Sequence, residues 1–476
     1  MKFTDFDTLL IMPLMNRPNS RTTLIPNEHH FDEILKNFFD KYDDVNPIEI
    51  SFRKLIDNFS AIERATHSIH PYPAKLLGHI PFFFINNSIF TKPKDVILDP
   101  FCGSGTVLLE AIIAKRQAIG VDSNPLARLI SSTKTVLCDI DKIVKTKEEI
   151  VNRYNDVIHK DNPQPSVINL DFWYSKEISK QLSAILECIK KIDEEDIRNF
   201  FLTSFSVCAR KVSVADPRVS VPVKLKTKSF EENYPLRRTH AQLLESLKTI
   251  NVLQKFIEIV EQNQRRILNL SNLYDKSVSA RIIGTDAKSI TNEISSNENL
   301  GNESVDFIIT SPPYAGAQKY IRASSLNLNW TELATAEELK ILDNKTIGRE
   351  RYRINVYSKF QETSIPEANV FLNEVFKINP LRAYIASNYL NEMQKVISEL
   401  YRVLKKEKYF VLVAANNFVC GKEFLTQTYL KELATNIGFK VELELVDDIH
   451  SYGLMTKRNK TASLITREIV TIFKKI

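Results

Sequence analysis

Four consecutive residues, Ser311-Pro312-Pro313-Tyr314, combine groups that can hold an aromatic amine. The serine hydroxyl and the main-chain carbonyls are hydrogen-bond acceptors, and the tyrosine offers an aromatic face. They follow the apolar, β-prone run Val305–Thr310, so the pattern places them at the C-terminal end of a strand. In open α/β sheets ligands bind at that edge. The sequence therefore predicts a binding site here.

A second candidate ligand-binding segment lies about two hundred residues upstream. It reads Asp99-Pro100-Phe101-Cys102-Gly103-Ser104-Gly105-Thr106 and follows the apolar run Asp95–Leu98. The chain has only 11 glycines, so two within three positions stand out, and glycine permits a sharp turn and close approach of a ligand. A helix is expected over Val107–Ala114. Because Leu108 replaces the third glycine of the dinucleotide fingerprint, an amino-bearing ligand is favoured over NAD.

Two further acids end predicted strands. Asp122 closes the strand expected over Gln117–Asp122, and Asp286 closes the strand expected over Arg281–Asp286. Each acid alone is more often a turn residue or a helix N-cap than a ligand. Together with Asp99, however, three strand-terminal acids in this order favour a ligand-binding role.

The two motifs together resemble those of the DNA amino-methyltransferases, a family in which one motif binds S-adenosylmethionine and the other grips the exocyclic amine of a flipped base. The segment His70–Lys75 is similar to the one that closes over the methionine end of the cofactor in many of these enzymes. The resemblance implies that Asp122 accepts the ribose hydroxyls and Asp286 the adenine amine. Lys75 either meets the cofactor carboxylate or is an ordinary surface lysine. The residues predicted to bind the cofactor are Tyr72, Lys75, Asp99, Phe101, Gly103, Gly105, Thr106, Asp122 and Asp286.

The resemblance also implies catalytic roles for Ser311, Pro312, Pro313 and Tyr314. An exocyclic amine is a poor nucleophile because its lone pair is delocalised into the ring. When the Ser311 hydroxyl and the Pro312 carbonyl accept hydrogen bonds from its two N–H groups, that lone pair becomes free for in-line attack on the sulfonium methyl. Pro313 keeps the corner rigid, and the base, flipped out of the duplex, stacks on Tyr314.

Other interpretations of the tetrad Ser311–Tyr314 remain open. In the family, a leading serine is typical of cytosine N4 methylation and a leading Asp or Asn of adenine N6 methylation, so we expect cytosine with adenine as the alternative. Methylation of RNA or protein amines, and a non-catalytic DNA-binding subunit, are further alternatives. A purely structural tetrad, with Ser311 in a turn and Tyr314 in the core, is disfavoured by the presence of the glycine-containing segment Asp99–Thr106.

The expected fold class is α/β, a Rossmann-like methyltransferase mixed sheet with an antiparallel C-terminal hairpin and a mainly helical insertion. Residues 1–60 form an N-terminal arm, residues 61–139 and 276–476 form the catalytic domain, and residues 140–275 form the insertion, a possible target-recognition region. The hairpin is expected over Val441–Val446 and Glu468–Phe473. Further predicted elements are helices over Phe31–Phe39, Ile178–Ile192, Ala241–Leu268 and Asn391–Leu404, a strand over Tyr409–Ala414, and a β-prone stretch over Val212–Lys228.

Positive charge concentrates in one part of the insertion. The net charge is +6, and the segment from Cys208 to His240 carries eight basic and three acidic residues. Such a patch suits the phosphate backbone of duplex DNA, the expected partner, although a solvated basic face has the same composition. Any restriction or defence-system subunit is expected to be a separate chain. The residues predicted to contact nucleic acid are Arg218, Lys224, Lys226, Lys228, Arg237 and Arg238.

The remaining composition argues against several classes of protein. The five cysteines are scattered without a CxxC pair, so neither a disulfide framework nor a metal site is expected. The acidic start Met1–Asp7 is unlike a secretory signal. No apolar run approaches the length of a membrane span, and Ile80–Ile85 ends at two asparagines. We expect a cytoplasmic protein that needs neither a membrane nor a metal.

Overall fold

A computed structural model of the protein describes residues 28–56, 59–60, 64–73, 75–226, 235–294, 296, 298–316, 319–448 and 467–476. The strands are β1 (Ile48–Ile50), β2 (Val96–Asp99), β3 (Gln117–Val121), β4 (Ala280–Gly284), β5 (Val305–Thr310), β6 (Leu404–Ala414), β7 (Asn417–Val419), β8 (Lys422–Phe424), β9 (Phe439–Asp448) and β10 (Arg467–Lys475).

The helices are distributed over the whole described chain, and the insertion contributes α6 to α11. They are α1 (Glu28–Lys41), α2 (Phe52–Leu55), α3 (His79–Ile85), α4 (Thr106–Ile113), α5 (Pro125–Thr135), α6 (Ile140–Val157), α7 (Leu170–Trp173), α8 (Lys176–Ile189), α9 (Glu195–Lys211), α10 (Pro235–Ser246), α11 (Val252–Ser271), α12 (Tyr320–Trp330), α13 (Leu339–Lys345), α14 (Pro366–Ile378), α15 (Pro380–Val403) and α16 (Thr426–Ile437). A single 3₁₀ turn covers Ile354–Val356.

The main sheet has the order β1-β9-β10-β6-β5-β2-β3-β4. Strand β10 is antiparallel to both β6 and β9, and the other neighbouring pairs are parallel. The chain leaves β2 towards β3 and β4 on one side and later builds β5 and β6 on the other. The predicted α/β class with an antiparallel C-terminal hairpin is confirmed.

Both faces of the sheet are covered by helices, as a mostly parallel sheet requires. Phe307 and Ile309 of β5 pack towards α3 and α4, whereas Ile308 packs towards α15 and α16. A third apolar cluster joins the insertion helices to α5 and α12 and includes Trp330. The insertion thus shares a core with α5, which precedes it in the chain, and with α12, which follows it, while its boundaries stay a prediction.

Several element boundaries differ from the prediction. The helix expected over Ala241–Leu268 is two helices, because the Asn251 side chain accepts a hydrogen bond from the Gln254 amide at 3.0 Å and starts α11 anew. In the β-prone stretch the described residues form only an isolated antiparallel bridge between Ala215 and Lys224. Pro217 and Pro222 lie between them, and proline cannot donate to a ladder.

Candidate active site

The two signature loops leave adjacent strands of the sheet. Strands β2 and β5 are parallel neighbours, with Ile97 opposite Phe307 and Leu98 opposite Ile308. The glycine loop, residues 99–106, follows β2, and the tetrad, residues 311–314, follows β5. Both loops therefore emerge at the carboxyl edge where the strand order reverses, the place where open α/β sheets bind their ligands.

One hydrogen bond joins the two loops directly. The Thr310 hydroxyl donates to Asp99 Oδ1 at 2.6 Å, and the Phe101 amide donates to the same oxygen at 3.1 Å. Burial raises the pKa of the Asp99 carboxyl to about 7, although both hydrogen bonds act in the opposite direction. Asp99 thus links β5, the strand that leads to the tetrad, to the glycine loop.

This burial predicts a pH-dependent stability effect for Asp99→Asn. The folded-state pKa of about 7 lies above the ordinary value of 3.8, so the unfolding free energy of the native protein falls as the pH rises from about 4 to 7. Asparagine keeps an acceptor for Thr310 without a charge. We expect the stability advantage of the variant to grow by roughly 2 to 3 kcal/mol between pH 5 and pH 8. Urea unfolding of the variant and the wild type at both pH values measures this advantage. If the difference in unfolding free energy were the same at pH 5 and pH 8, the raised pKa of Asp99 would be contradicted.

The glycine loop adopts a backbone that only glycine tolerates well. Gly103 and Gly105 have φ of 49° and 76°, in the left-handed region. A Cβ on Gly105 would lie 2.8 Å from Cβ of Ser131 in α5, and one on Gly103 would face the Tyr72 ring at 3.7 Å. The loop is consequently held close to α5 and to the predicted cofactor segment. Thr106 begins α4 and is buried, and Phe101 is half-buried.

Asp122 lies immediately beyond β3 with its carboxylate beside the glycine loop. Its Oδ2 accepts from the Gly103 amide at 2.9 Å and its Oδ1 from the Asn124 amide at 2.8 Å. A carboxylate has about four acceptor positions, so two remain for the hydroxyls of a ribose. Burial raises the pKa of Asp122, and the two amide hydrogen bonds oppose that rise. The residues around this loop fit the predicted cofactor.

Asn124, which sequence reasoning missed, connects the loops around Asp122. Its side chain accepts from the Leu126 amide at 3.0 Å and so caps α5, while its Nδ2 donates to the Tyr72 hydroxyl at 3.1 Å and to the Ser324 hydroxyl at 3.3 Å. The Asn-Pro pair at the start of a helix was the available signal. A second missed residue, Lys134, is fully buried and donates to the Ser104 hydroxyl at 3.4 Å.

The other predicted cofactor residues lie in different surroundings. Asp286 is exposed, two residues beyond β4, where it accepts from the Lys288 amide at 3.0 Å and pairs with the Lys288 ammonium at 3.2 Å. The Lys75 ammonium donates to the carbonyls of His67 and His70, at 3.2 and 2.7 Å. Desolvation and the nearby Arg266 lower the pKa of Lys75 to about 8. In this arrangement Lys75 closes the loop that carries Tyr72.

The tetrad forms an open corner at the end of β5. Ser311 and Pro313 are half-buried, whereas Pro312 and Tyr314 are buried, so the serine is not sealed in the core. The Tyr314 hydroxyl donates to Glu468 Oε1 at 3.2 Å. Burial raises the pKa of Glu468, as does the nearby Asp447 carboxylate. Glu468 lies 154 residues downstream on β10, and no local pattern in the sequence marks it.

Tyr320 joins the two halves of the site. It begins α12 and lies close enough to Tyr72 and Tyr314 that its hydroxyl interacts electrostatically with both. The hydrogen bond from Asn124 to Ser324 places the next turn of α12 against the cofactor side. The glycine-loop side and the tetrad side of the sheet edge thus both border the start of α12.

The predicted nucleic-acid residues are only partly available for a ligand. Arg218 pairs with Asp216 at 2.6 Å, and the Lys224 ammonium lies 4.3 Å from the centre of the Phe172 ring. Lys226 and Arg238 are exposed and Arg237 is half-buried. Lys228 lies outside the described residues. The patch still presents positive charge, but two of its members are engaged within the protein.

The described residues contain neither a metal-binding cluster nor a helix suited to a membrane. No cluster of three or more His, Cys, Asp or Glu side chains in the described ranges is arranged to hold a metal ion. None of the helices there combines the length and apolar character that a membrane crossing demands.

Comparison with known proteins concerns mainly the side of the site that carries the glycine loop. A family model for N6 and N4 methyltransferases, described as DNA methylase, matches residues 66–131, which include the Tyr72 segment, the glycine loop and Asp122. The chain is related to the DNA amino-methyltransferases. The predicted resemblance to this family is confirmed, and so is the prediction of a methyltransferase that uses S-adenosylmethionine, whereas the tetrad lies outside the matched residues.

The similarity to known methyltransferases extends over most of the chain. The Type II methyltransferase M.MvaI of Kocuria varians is 27% identical over 389 residues, which cover 77% of this chain and 80% of the relative. The Type II methyltransferase M.MjaII of Methanocaldococcus jannaschii is 23% identical and covers 76% and 80%. The structure of an S-adenosylmethionine-dependent methyltransferase from Methanosarcina mazei is 10% identical and covers 81% of this chain and 95% of that one. Its TM-score is 0.28, so this likeness does not bear on the fold.

Proposed function

We propose that this protein transfers a methyl group from S-adenosylmethionine to the exocyclic N4 of cytosine in duplex DNA, with the target base flipped out of the helix. The observation that carries the proposal is the 2.6 Å hydrogen bond from Thr310 to Asp99, because it places Ser311 beside the glycine loop. A methyl donor in the loop and an amine at Ser311 would then face each other across one crevice.

On the cofactor side, the proposal assigns binding to groups that already line the loop. S-adenosylmethionine, when bound, supplies an electrophilic methyl group on its sulfonium. Asp122 accepts ribose hydroxyls with the lone pairs that Gly103 and Asn124 leave open. Asp286 accepts from the adenine amine through the oxygen turned away from Lys288. Tyr72, held by Asn124, covers the glycine backbone.

On the base side, the proposal assigns hydrogen-bond acceptance to Ser311 and Pro312. The two N–H groups of the exocyclic amine donate to the Ser311 hydroxyl and the Pro312 carbonyl, which localises the nitrogen lone pair for attack. The methylated ammonium is acidic and releases its proton without a strong base. Tyr314 supports the ring of the base, and its hydrogen bond to Glu468 fixes the orientation of the phenol.

Three observations support DNA as the substrate. Both relatives are named Type II methyltransferases, and the matching family is described as DNA methylase. Exposed basic residues lie in the insertion, among them Lys226 and Arg238. By the same likeness we propose that the chain acts in a restriction–modification system whose nuclease is a separate chain. The choice of cytosine N4 over adenine N6 depends on Ser311 alone.

The proposal is tested by expressing the full chain in a host that lacks DNA methylation and sequencing the host genome with a method that separates 4-methylcytosine from 6-methyladenine. We expect 4-methylcytosine at one short recurrent sequence. Only 6-methyladenine would keep the enzyme class but overturn the choice of base. An unmodified genome would overturn DNA methylation, and labelled methyl transfer to RNA, protein and duplex DNA in vitro would then identify the acceptor.

A further inference from the structure

A strongly basic segment lies beside the tetrad and has no part in the roles assigned so far. We call residues 345–359 the arginine segment. It holds five basic side chains and one acidic side chain. The acid, Glu350, pairs with Lys319 at 3.5 Å, so most of the positive charge is uncompensated within the segment. Such a charge complements a phosphate backbone.

The start of the arginine segment is fixed against the tetrad. The Gly316 amide donates to the Gly348 carbonyl at 2.9 Å. A Cβ on Gly348 would lie 2.9 Å from the Tyr314 carbonyl oxygen, and its φ is 74°, so only glycine allows this close approach. The segment is therefore attached to the backbone that would hold the flipped base.

The middle of the segment rests on α15. The Tyr352 hydroxyl accepts from Asn388 Nδ2 at 3.0 Å, and the Tyr352 ring meets the Tyr384 ring edge-on at 4.8 Å between centroids. The Arg349 guanidinium lies 4.1 Å from the centre of the Tyr352 ring. These contacts give the segment a defined path away from the tetrad.

The tip of the segment is apolar and faces solvent. It is the 3₁₀ turn Ile354–Val356, in which Ile354 is 75% exposed and Val356 is 42% exposed. Ile354 is six positions beyond Gly348, so the tip lies at most about 20 Å from the point where the segment contacts the tetrad. A single exposed isoleucine is ordinary on a protein surface. Here it follows Arg351 and Arg353, both exposed, in a segment whose start is fixed against the tetrad.

We propose that Ile354 enters the DNA duplex at the position that the flipped base vacates, while Arg351 and Arg353 bind the flanking phosphates. This proposal rests on the proposed function and assigns to it a residue that opens the helix. Apolar side chains of this kind insert between base steps in other DNA-binding proteins. The side chain replaces stacking contacts that the neighbouring base pairs lose, so the duplex opens more readily.

The test uses a synthetic duplex that carries the sequence found by genome mapping. In one form the target base is paired, and in the other it lies opposite an abasic site, where little pairing must be broken. Single-turnover methyl transfer is measured for the wild type, Ile354→Ala and the control Ile378→Ala. Ile378 ends α14 and is similarly exposed, at 61%. We expect Ile354→Ala to slow transfer about tenfold on the paired duplex and at most about twofold on the abasic one.

Each other outcome overturns the inference. An unchanged rate on the paired duplex would show that Ile354 does not assist opening. Equal slowing on both duplexes, or equal slowing by Ile378→Ala, would indicate an ordinary docking contact. Failure of the wild type to methylate either duplex would remove the proposed function itself, a result distinct from a variant that matches an active wild type.

The arginines are tested separately through the salt dependence of binding. Among the described residues none forms a hydrogen bond or ion pair with the Arg353 side chain, so its removal should leave the fold intact. Arg353→Gln should lower the slope of log Kd against log salt by about 0.9, the value for one phosphate contact. The matched control is Arg281→Gln, since Arg281 is exposed near the amino end of β4, at the opposite edge of the sheet. An unchanged slope for Arg353→Gln would remove this residue from the DNA surface.

Discussion

Ser311→Ala is expected to reduce methyl transfer to DNA at least a hundredfold while cofactor affinity stays within about twofold of the wild type. In the proposed mechanism the alanine removes one of the two acceptors for the target amine, so the nitrogen lone pair would stay delocalised into the ring. The loss appears in the chemical step, because the remaining contacts of the base and of the cofactor are unchanged. Single-turnover transfer from labelled cofactor into duplex DNA measures the rate, and calorimetric titration measures the cofactor affinity.

The structure makes this variant a clean test. Ser311 is half-buried, and it forms no side-chain hydrogen bond to any of the described residues, so alanine should alter stability by no more than about 0.5 kcal/mol. Ser311→Thr keeps the hydroxyl and is the matched variant, expected to retain most of the activity that alanine loses. Undiminished transfer by Ser311→Ala would refute the assigned role, and a parallel loss of cofactor affinity would indicate a disturbed loop instead.

The central strands were predictable because their sequences are unambiguous. Strand β5 has the predicted bounds, since an apolar and β-branched run ends at two prolines that cannot continue a ladder. The short apolar runs closed by an acid predicted that Asp99, Asp122 and Asp286 follow strands; Asp99 ends β2, whereas β3 and β4 end one and two residues before their acids. Adjacent, parallel strand ends then bring the glycine loop and the tetrad together without further information.

The contacts between remote segments were not predictable from local patterns. The pairing of Tyr314 with Glu468 depends on the register of β10 against β6 and β9, which the long-range packing of the sheet determines. The Thr310 hydroxyl likewise finds Asp99 only because β2 and β5 are neighbours. The basic stretch of the insertion predicted a charged surface, but composition cannot show that Arg218 is bound to Asp216. Sequence thus predicted which loops lie together at the sheet edge, and tertiary packing determined which side chains in them are already paired within the protein.

Glu110 provides the second large expected effect, on stability and on cofactor binding together. It is fully buried on α4, the helix that follows the glycine loop. Its carboxylate accepts from His67 Nε2 at 2.6 Å and from Arg64 Nε at 3.1 Å. Burial disfavours the charged carboxylate, but the Arg64 charge and the His67 hydrogen bond outweigh burial and lower the pKa of Glu110.

The neighbouring histidine acts as a neutral donor in this arrangement. Burial lowers the pKa of His67, because desolvation of the imidazolium outweighs its attraction to Glu110. At neutral pH the buried charges are therefore Glu110 and Arg64, and Arg64 also lies 5.1 Å from the centre of the Phe82 ring. Removal of one member of a buried ion pair leaves the other charge without compensation.

Glu110→Gln should therefore lower the free energy of unfolding by about 3 to 5 kcal/mol, as measured by urea unfolding. The control is Glu149→Gln, in which an exposed glutamate 3.9 Å from Lys145 is changed and less than about 1 kcal/mol should be lost. His67 and Arg64 belong to the segment that leads to Tyr72, so the Glu110 variant should also bind S-adenosylmethionine at least about tenfold more weakly. Such a loss is about 1.4 kcal/mol of binding free energy, less than the stability that the variant loses. If the variant were destabilised as expected but bound the cofactor with wild-type affinity, Glu110 would support α4 alone and the link from its ion pair to the cofactor segment would be wrong.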